Sequence, residues 1–158
     1  MPVVLYRVDE RLIHGQVVVG WGHELRPDRY VVVDDATAES EWEQELYALG
    51  APGREAVFVS VADARDRLDA WAADAARSVV LTRDIASMRS LLDGRSEGIA
   101  VNLGGVHAGS DRTRALEYLY LTERDRTDLR ELERQGALVT ARNLPDAQRV
   151  PLDTILSP

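Results

Sequence analysis

Two arginines, two carboxylates and a histidine fall within the eight residues Arg7 to His14, R-V-D-E-R-L-I-H, and Gly15 follows directly. A neutral imidazole is a nucleophile and can carry a phosphoryl group. Arginine forks match phosphate oxygens. A carboxylate beside the imidazole can hold one ring nitrogen and so fix which one reacts. The chemistry such a run would support is therefore anion binding with group transfer: His14 as nucleophile, Asp9 orienting either its ring or Arg11, and Arg11 with Arg7 gripping oxygens. The same residues have an ordinary reading. A histidine in a loop is commonly just polar, and Arg-Asp-Arg runs form surface ion pairs of small value.

The position of the run favours an anion and leaves the ordinary reading of His14 the commoner one. Val3 to Val8 is an apolar, β-branched run that predicts a strand, and Ile13 to Leu25 predicts a helix ending before Pro27. The charged run is thus the loop between them. Unsatisfied N–H groups at a helix start and the helix dipole make such a loop electropositive. Further strands are predicted at Tyr30–Val33, Val57–Val59, Val79–Leu81, Ile99–Leu103, Tyr118–Leu121 and Ala137–Ala141. Between them lie helices. Ser40 with Glu43, Ser60 with Asp63 and Thr122 with Asp125 read as capping boxes, and Thr82 as the cap of a helix to about Leu92. Trp42, Leu46 and Leu49 share one helical face; Ala64, Leu68, Trp71 and Ala75 share another. Gly136 fits the position just past a helix end. The tail from Asn143 reads as loop with a short terminal turn or helix. Continuous apolar strands alternating with helices predict an open, mostly parallel α/β sheet of six to seven strands, with helices on both faces, in a single domain spanning 1–158. In such sheets ligands bind beyond the carboxyl ends of the strands. Those ends are the Arg7–His14 run, Asp34-Asp35, Ser60, Thr82-Arg83, and Asn102 with Gly104 and Gly105.

Composition narrows the classes. The 158 residues include no cysteine, which removes disulfides, thiolate metal sites and cysteine nucleophiles. All 19 basic residues are arginine, so Schiff-base lysines and a Walker A lysine are excluded. A net charge of −8 repels nucleic acid as a whole while leaving room for a local basic pocket. No apolar run reaches the roughly 20 residues of a membrane helix, and the start is too soon charged for a signal peptide, so a cytoplasmic protein is expected. Asp34-Asp35 could hold Mg²⁺ but reads more simply as a turn and helix cap. Glu41, Glu43 and Glu45 read as a solvated helix face, His23 as a surface residue, and Trp21 as packing. His107, in the glycine-containing loop, is read as structural although it could approach His14.

The segment R-V-D-E-R-L-I-H-G-Q-V, residues 7 to 17, resembles the signature of the IIB components of the phosphoenolpyruvate:sugar phosphotransferase system, in the mannose/fructose/sorbose family. N-L-G-G-V-H-A-G, residues 102 to 109, and the stretch 118 to 136 are similar to later parts of the same family, in the same order. The resemblance implies an open parallel-type α/β sheet, which agrees with the reading above. It implies that His14 accepts a phosphoryl group from a IIA protein, through Nδ1, and passes it to a sugar at the membrane subunits IIC and IID. Arg11 would hold the phosphoryl oxygens with N–H groups from Glu10 to His14, so that Glu10, Leu12, Ile13 and Gly15 serve through the loop backbone. No cofactor or metal is implied, and peripheral association with the transporter is. Glu10 stands where the family often has Asp. Leu12 and Ile13 flank the site as candidates for an apolar docking rim or for the core. A regulatory phosphoprotein with the same histidine and no transporter is the alternative, and an anion-binding domain without turnover is a third. Homo-oligomer formation stays open.

Overall fold

The protein is described here by a computed structural model covering residues 2–157. The apolar runs form the strands of one sheet. They are β1 (Val3–Val8), β2 (Arg29–Val33), β3 (Glu55–Val59), β4 (Ser78–Thr82), β5 (Ala100–Leu103), β8 (Leu138–Ala141) and β9 (Val150–Pro151). Their order across the sheet is β3-β2-β4-β1-β5-β8-β9. All neighbours are parallel except β8 and β9. Every residue of β2 and β4 is buried, as expected of central strands covered on both faces.

The remaining two strands, β6 (Thr113–Leu116) and β7 (Leu119–Leu121), form a separate antiparallel hairpin. The strand expected at Tyr118–Leu121 is therefore real but does not join the main sheet. Its turn-forming neighbour Glu117 folds it back on β6, and only Leu119 bridges to Val106. The seventh place in the sheet goes to β9, from the tail read as loop. A short helix, α7 (Leu152–Leu156), follows it as expected.

Alternation along the strands splits the core in two. Tyr6 and Val8 join the larger cluster, with Leu68 and Trp71 of α4 (Val61–Ala73), Met88 and Leu91 of α5 (Ile85–Leu91), Leu129 and Leu132 of α6 (Glu123–Arg134), and Ile155 of α7. The second cluster gathers Leu12, Ile13, Val17, Tyr30, Val32, Val79 and Leu81. Above it run a π-helical segment (Gln16–Trp21), a turn of α-helix α1 (Gly22–Leu25), and α3 (Glu41–Leu49). A short α2 (Asp35–Ala38) precedes α3.

The helix starts are partly as read. Thr122 and Asp125 form a complete capping box, Ser60 accepts from the Asp63 N–H, and Gly136 takes φ +98° after α6. Ser40 precedes α3 but makes no capping bond. Thr82 is not a cap: it ends β4, fully buried, and Asp84 caps α5 by accepting from the Ser87 N–H. α4 stops at Ala73, short of Ala75. The Trp42–Leu46–Leu49 face points outward, those side chains being 68%, 55% and 78% exposed.

Parallel registry brings the strand ends to one edge. Val8 pairs with both Thr82 and Leu103, and Val33 with both Thr82 and Val59. The loops after β1, β4 and β5 consequently meet.

Candidate functional site

Three backbone bonds seat the loop after β1 between its neighbours. Asp9 N–H donates to Thr82 O at 3.0 Å, Glu10 N–H to Gly105 O at 3.0 Å, and Gly104 N–H to Val8 O at 2.7 Å. The loop then closes on itself: Leu12 N–H donates to Asp9 O at 2.9 Å, with Leu12 in the left-handed region at φ 56°. Arg11 N–H donates to Asp9 Oδ1 at 3.2 Å.

Asp9 is the hub. It is wholly buried, yet two cationic groups and a ring meet it: Arg7 at 3.0 Å, Arg11 Nε at 3.6 Å, and His14 Nε2 at 3.1 Å from Oδ2. The His14 contact is close in distance but off the line of a directed hydrogen bond. Burial pushes the Asp9 carboxyl up. The contact with His14, the charge of Arg7 and the Arg11 N–H outweigh it and bring the pKa down to about 2. Asp9 is therefore ionised at neutral pH. His14 Nδ1, unlike Nε2, is neither buried nor hydrogen-bonded.

Arg7 does not grip oxygens from solvent, as the sequence reading expects. As an inward-facing residue of a central strand it is fully buried. It bonds Asp9, the Asn102 side chain, and the carbonyls of Arg142 and Asn143 at 2.9 and 3.2 Å. Its guanidinium lies over the Trp21 ring at 5.3 Å. Burial lowers its pKa, with Asp9 opposing that shift. Its work is to hold Asp9. Gly104 makes room for the pair, since a Cβ there would overlap the Arg7 guanidinium and stand 2.7 Å from Asp9 Oδ2.

The backbone donors also differ from expectation. The N–H groups of Glu10, Arg11 and Leu12 are taken within the fold, whereas those of Ile13, His14 and Gly15 have no acceptor among the described residues. Nothing lies within 4 Å of where a Gly15 side chain would be, so the chain at Gly15 borders open space. Arg11 is half-exposed and donates to Gln16 at 2.9 Å, within reach of the same space. Leu12 and Ile13 are buried in the second core cluster and offer no docking rim.

Of the other candidates, Asp34 caps α2 by accepting from Thr37, and Asp35 accepts from the Val61 N–H at 2.8 Å. His23 is exposed. Trp21 packs, with its Nε1 donating to Asn143 O at 3.1 Å. His107 is bound to Glu10 through both its N–H and its Nδ1, with the ring largely exposed. Two contributors escape a reading of side-chain types. The Arg142 and Asn143 carbonyls anchor Arg7 from 135 and 136 residues away, and a backbone acceptor leaves no mark in sequence. Arg83 reaches Glu10 O at 3.3 Å and Thr37 Oγ1 at 3.2 Å, so it braces the loop.

The carboxyl edge of an open parallel sheet thus carries a histidine beside a buried carboxylate, with backbone N–H groups that have no acceptor among the described residues, an arrangement suited to an anion. The profile described as "PTS system sorbose subfamily IIB component" matches residues 3–158. The chain therefore belongs to the IIB components of the mannose/fructose/sorbose family of the sugar phosphotransferase system. It is 28% identical over 149 residues to the N-acetylgalactosamine-specific phosphotransferase enzyme IIB component 1 of Escherichia coli, covering 93% of this chain and 94% of that one. The crystal structure of the same relative superposes with a TM-score of 0.87, over 94% of this chain and 97% of the other. The fructose-specific EIIB component of Bacillus subtilis is 28% identical, over 92% of this chain and 90% of its own. The mannose-specific EIIAB component of Escherichia coli is 25% identical, over 99% of this chain but 49% of its own length. Membership places the protein among the phosphotransferases of sugar phosphoryl relay.

Proposed function

We propose that His14 is the phosphoryl acceptor, through Nδ1, and that the protein carries the group from a IIA donor to a sugar at membrane subunits IIC and IID. The observation that supports this best is the division of the ring: Nε2 faces ionised Asp9 at 3.1 Å, while Nδ1 is open. With its proton on Nε2, the imidazole presents the Nδ1 lone pair. That pair attacks phosphorus, the P–N bond of a donor ring protonated on its other nitrogen breaks, and that ring leaves as neutral imidazole. The acceptor ring becomes a phosphorylated imidazolium whose charge develops 3.1 Å from a carboxylate already in place. No proton need move. The phosphoryl oxygens would lie among the N–H groups of Ile13, His14 and Gly15, with Arg11 beside them. Such transfer depends on positioning and charge stabilisation, which a rigid loop supplies.

Residue chemistry supports the choice of acceptor. The chain has no cysteine and three histidines. His23 has no carboxylate contact within 4 Å among the described residues, and the Nδ1 of His107 is engaged by Glu10. IIB components of this family work with IIA and with membrane IIC and IID partners. No helix among the described residues is long and apolar enough to cross a membrane.

The test is a relay from phosphoenolpyruvate through enzyme I, HPr and a IIA protein, read by intact mass at neutral to alkaline pH. The wild type, His23→Ala and His107→Ala should each gain one phosphoryl group, and His14→Ala none. Labelling of His14→Ala, or no labelling of wild type by a IIA that labels a control IIB, contradicts the proposal.

A further inference from the structure

We infer that a second anion subsite, for a small phosphate monoester dianion, lies in the cleft beside the His14 loop and is distinct from the phosphoryl position on His14. The cleft measures about 500 Å³ and is formed where the loops after β1, β4 and β5 meet. Arg11, Arg83, Arg112 and His107 line it, and His14 does not.

Three guanidiniums around one cleft are unexpected in a chain of net charge −8. The two carboxylates on its wall each accept from a backbone N–H. Glu10 Oε1 accepts from the His107 N–H at 2.7 Å, and Asp84 Oδ1 from the Ser87 N–H at 2.8 Å. Arg83 is partly balanced, 3.6 Å from Asp34 Oδ2. Arg112 is not: its bond is to the His107 carbonyl, at 3.0 Å, and no carboxylate lies within 4 Å of it among the described residues. Its hydrogen bond fixes it to the same Glu10–His107 brace that Arg83 reaches from the other side, through Glu10 O at 3.3 Å. The walls are thus set independently of any ligand, and three guanidiniums lining one cleft suit a doubly charged, many-oxygened anion. The choice of phosphate over carboxylate rests on the reading of the neighbouring loop as a phosphoryl site, because Arg11 borders both.

The experiment is a backbone amide NMR titration of the unphosphorylated full chain at pH 7.5. Inorganic phosphate and glucose 6-phosphate are added at constant ionic strength against a chloride reference. Saturable shifts are expected at the amides of Glu10, Gly105 and His107. Arg112→Gln should weaken binding about tenfold, the loss of one charged fork, while His14→Ala stays within about twofold of wild type. Absence of saturable shifts beyond chloride overturns the inference. So does binding that centres on Ile13 to Gly15, disappears in His14→Ala and survives Arg112→Gln. Failure here leaves the relay labelling of His14 untouched, and failure of that labelling leaves this binding untouched, so the two readings fall separately.

Discussion

A carboxylate with no exposure to water keeps its charge only if its neighbours replace the hydration it has lost. Around Asp9 that replacement comes from Arg7, the Arg11 N–H and His14. The carboxyl titrates at about 2 in the folded chain against an ordinary 3.8. Its folded value is depressed, so its contribution is fully present above 3.8 and is lost as pH falls through about 2. The size is roughly 2 kcal/mol. Urea unfolding of wild type and Asp9→Asn between pH 7 and pH 2 checks this. The wild type should lose that increment over the acid range, and the Asn variant, though less stable at pH 7, should show a flatter profile. Asp9→Asn should also slow phosphoryl uptake by His14 at least about tenfold, because the imidazolium charge is then met by a dipole. Type and spacing allowed Asp9 either the His14 ring or Arg11 as partner, and both lie within 4 Å of it. The burial of Arg7 was not readable: an Arg-x-Asp-Glu-Arg run reads as surface, and only distant partners at Asn102, Arg142 and Asn143 turn it inward.

At the scale of elements, the site is a place where three parallel strands end together, and Gly104 is the clearance that lets them. The positions of β1, β4 and β5 follow from their apolar runs, and the first turns of α4 and α6 from Ser60 and Thr122. Gly104→Ala should push the Arg7–Asp9 pair apart, costing about 1–3 kcal/mol by overpacking and more of the relay rate than of the fold. Thermal unfolding alongside phosphoryl uptake measures both. Gly15→Ala is the contrast: with open space around its Cβ it should unfold like wild type, and any loss should fall on uptake alone. What sequence could not place was the strand at Tyr118–Leu121, because an apolar β run looks the same in a hairpin as in a sheet. Likewise Thr82 has a capping residue's chemistry but a strand's register, and Asp84 two residues on takes the cap.

Across the whole molecule, the parallel order and the two-sided cover of the central strands followed from alternation of strand and helix, and so did the edge at which chemistry gathers. Exposure of large apolar groups did not. Trp42, Leu46 and Leu49 repeat at helical spacing, yet α3 turns them to solvent while Tyr47 and Ala51 face the core. Periodicity gives a face without saying which way it points. Trp42 is 68% exposed, against 3% for both Trp21 and Trp71. Acrylamide quenching should therefore find one accessible tryptophan in three, and Trp42→Phe should leave only protected, blue-shifted emission. Two accessible tryptophans would mean that α4 or the π-helical segment is misplaced.

The central claim is that Asp9 holds Nε2 of His14 so that Nδ1 takes the phosphoryl group. Long-range ¹H–¹⁵N correlation of the histidine rings, recorded on the phosphorylated protein at alkaline pH, tests it most directly. One phosphohistidine is expected, at His14, with phosphorus on Nδ1 and the Nε2 proton kept toward Asp9. Phosphorus on Nε2, or on the ring of His23 or His107, would contradict it.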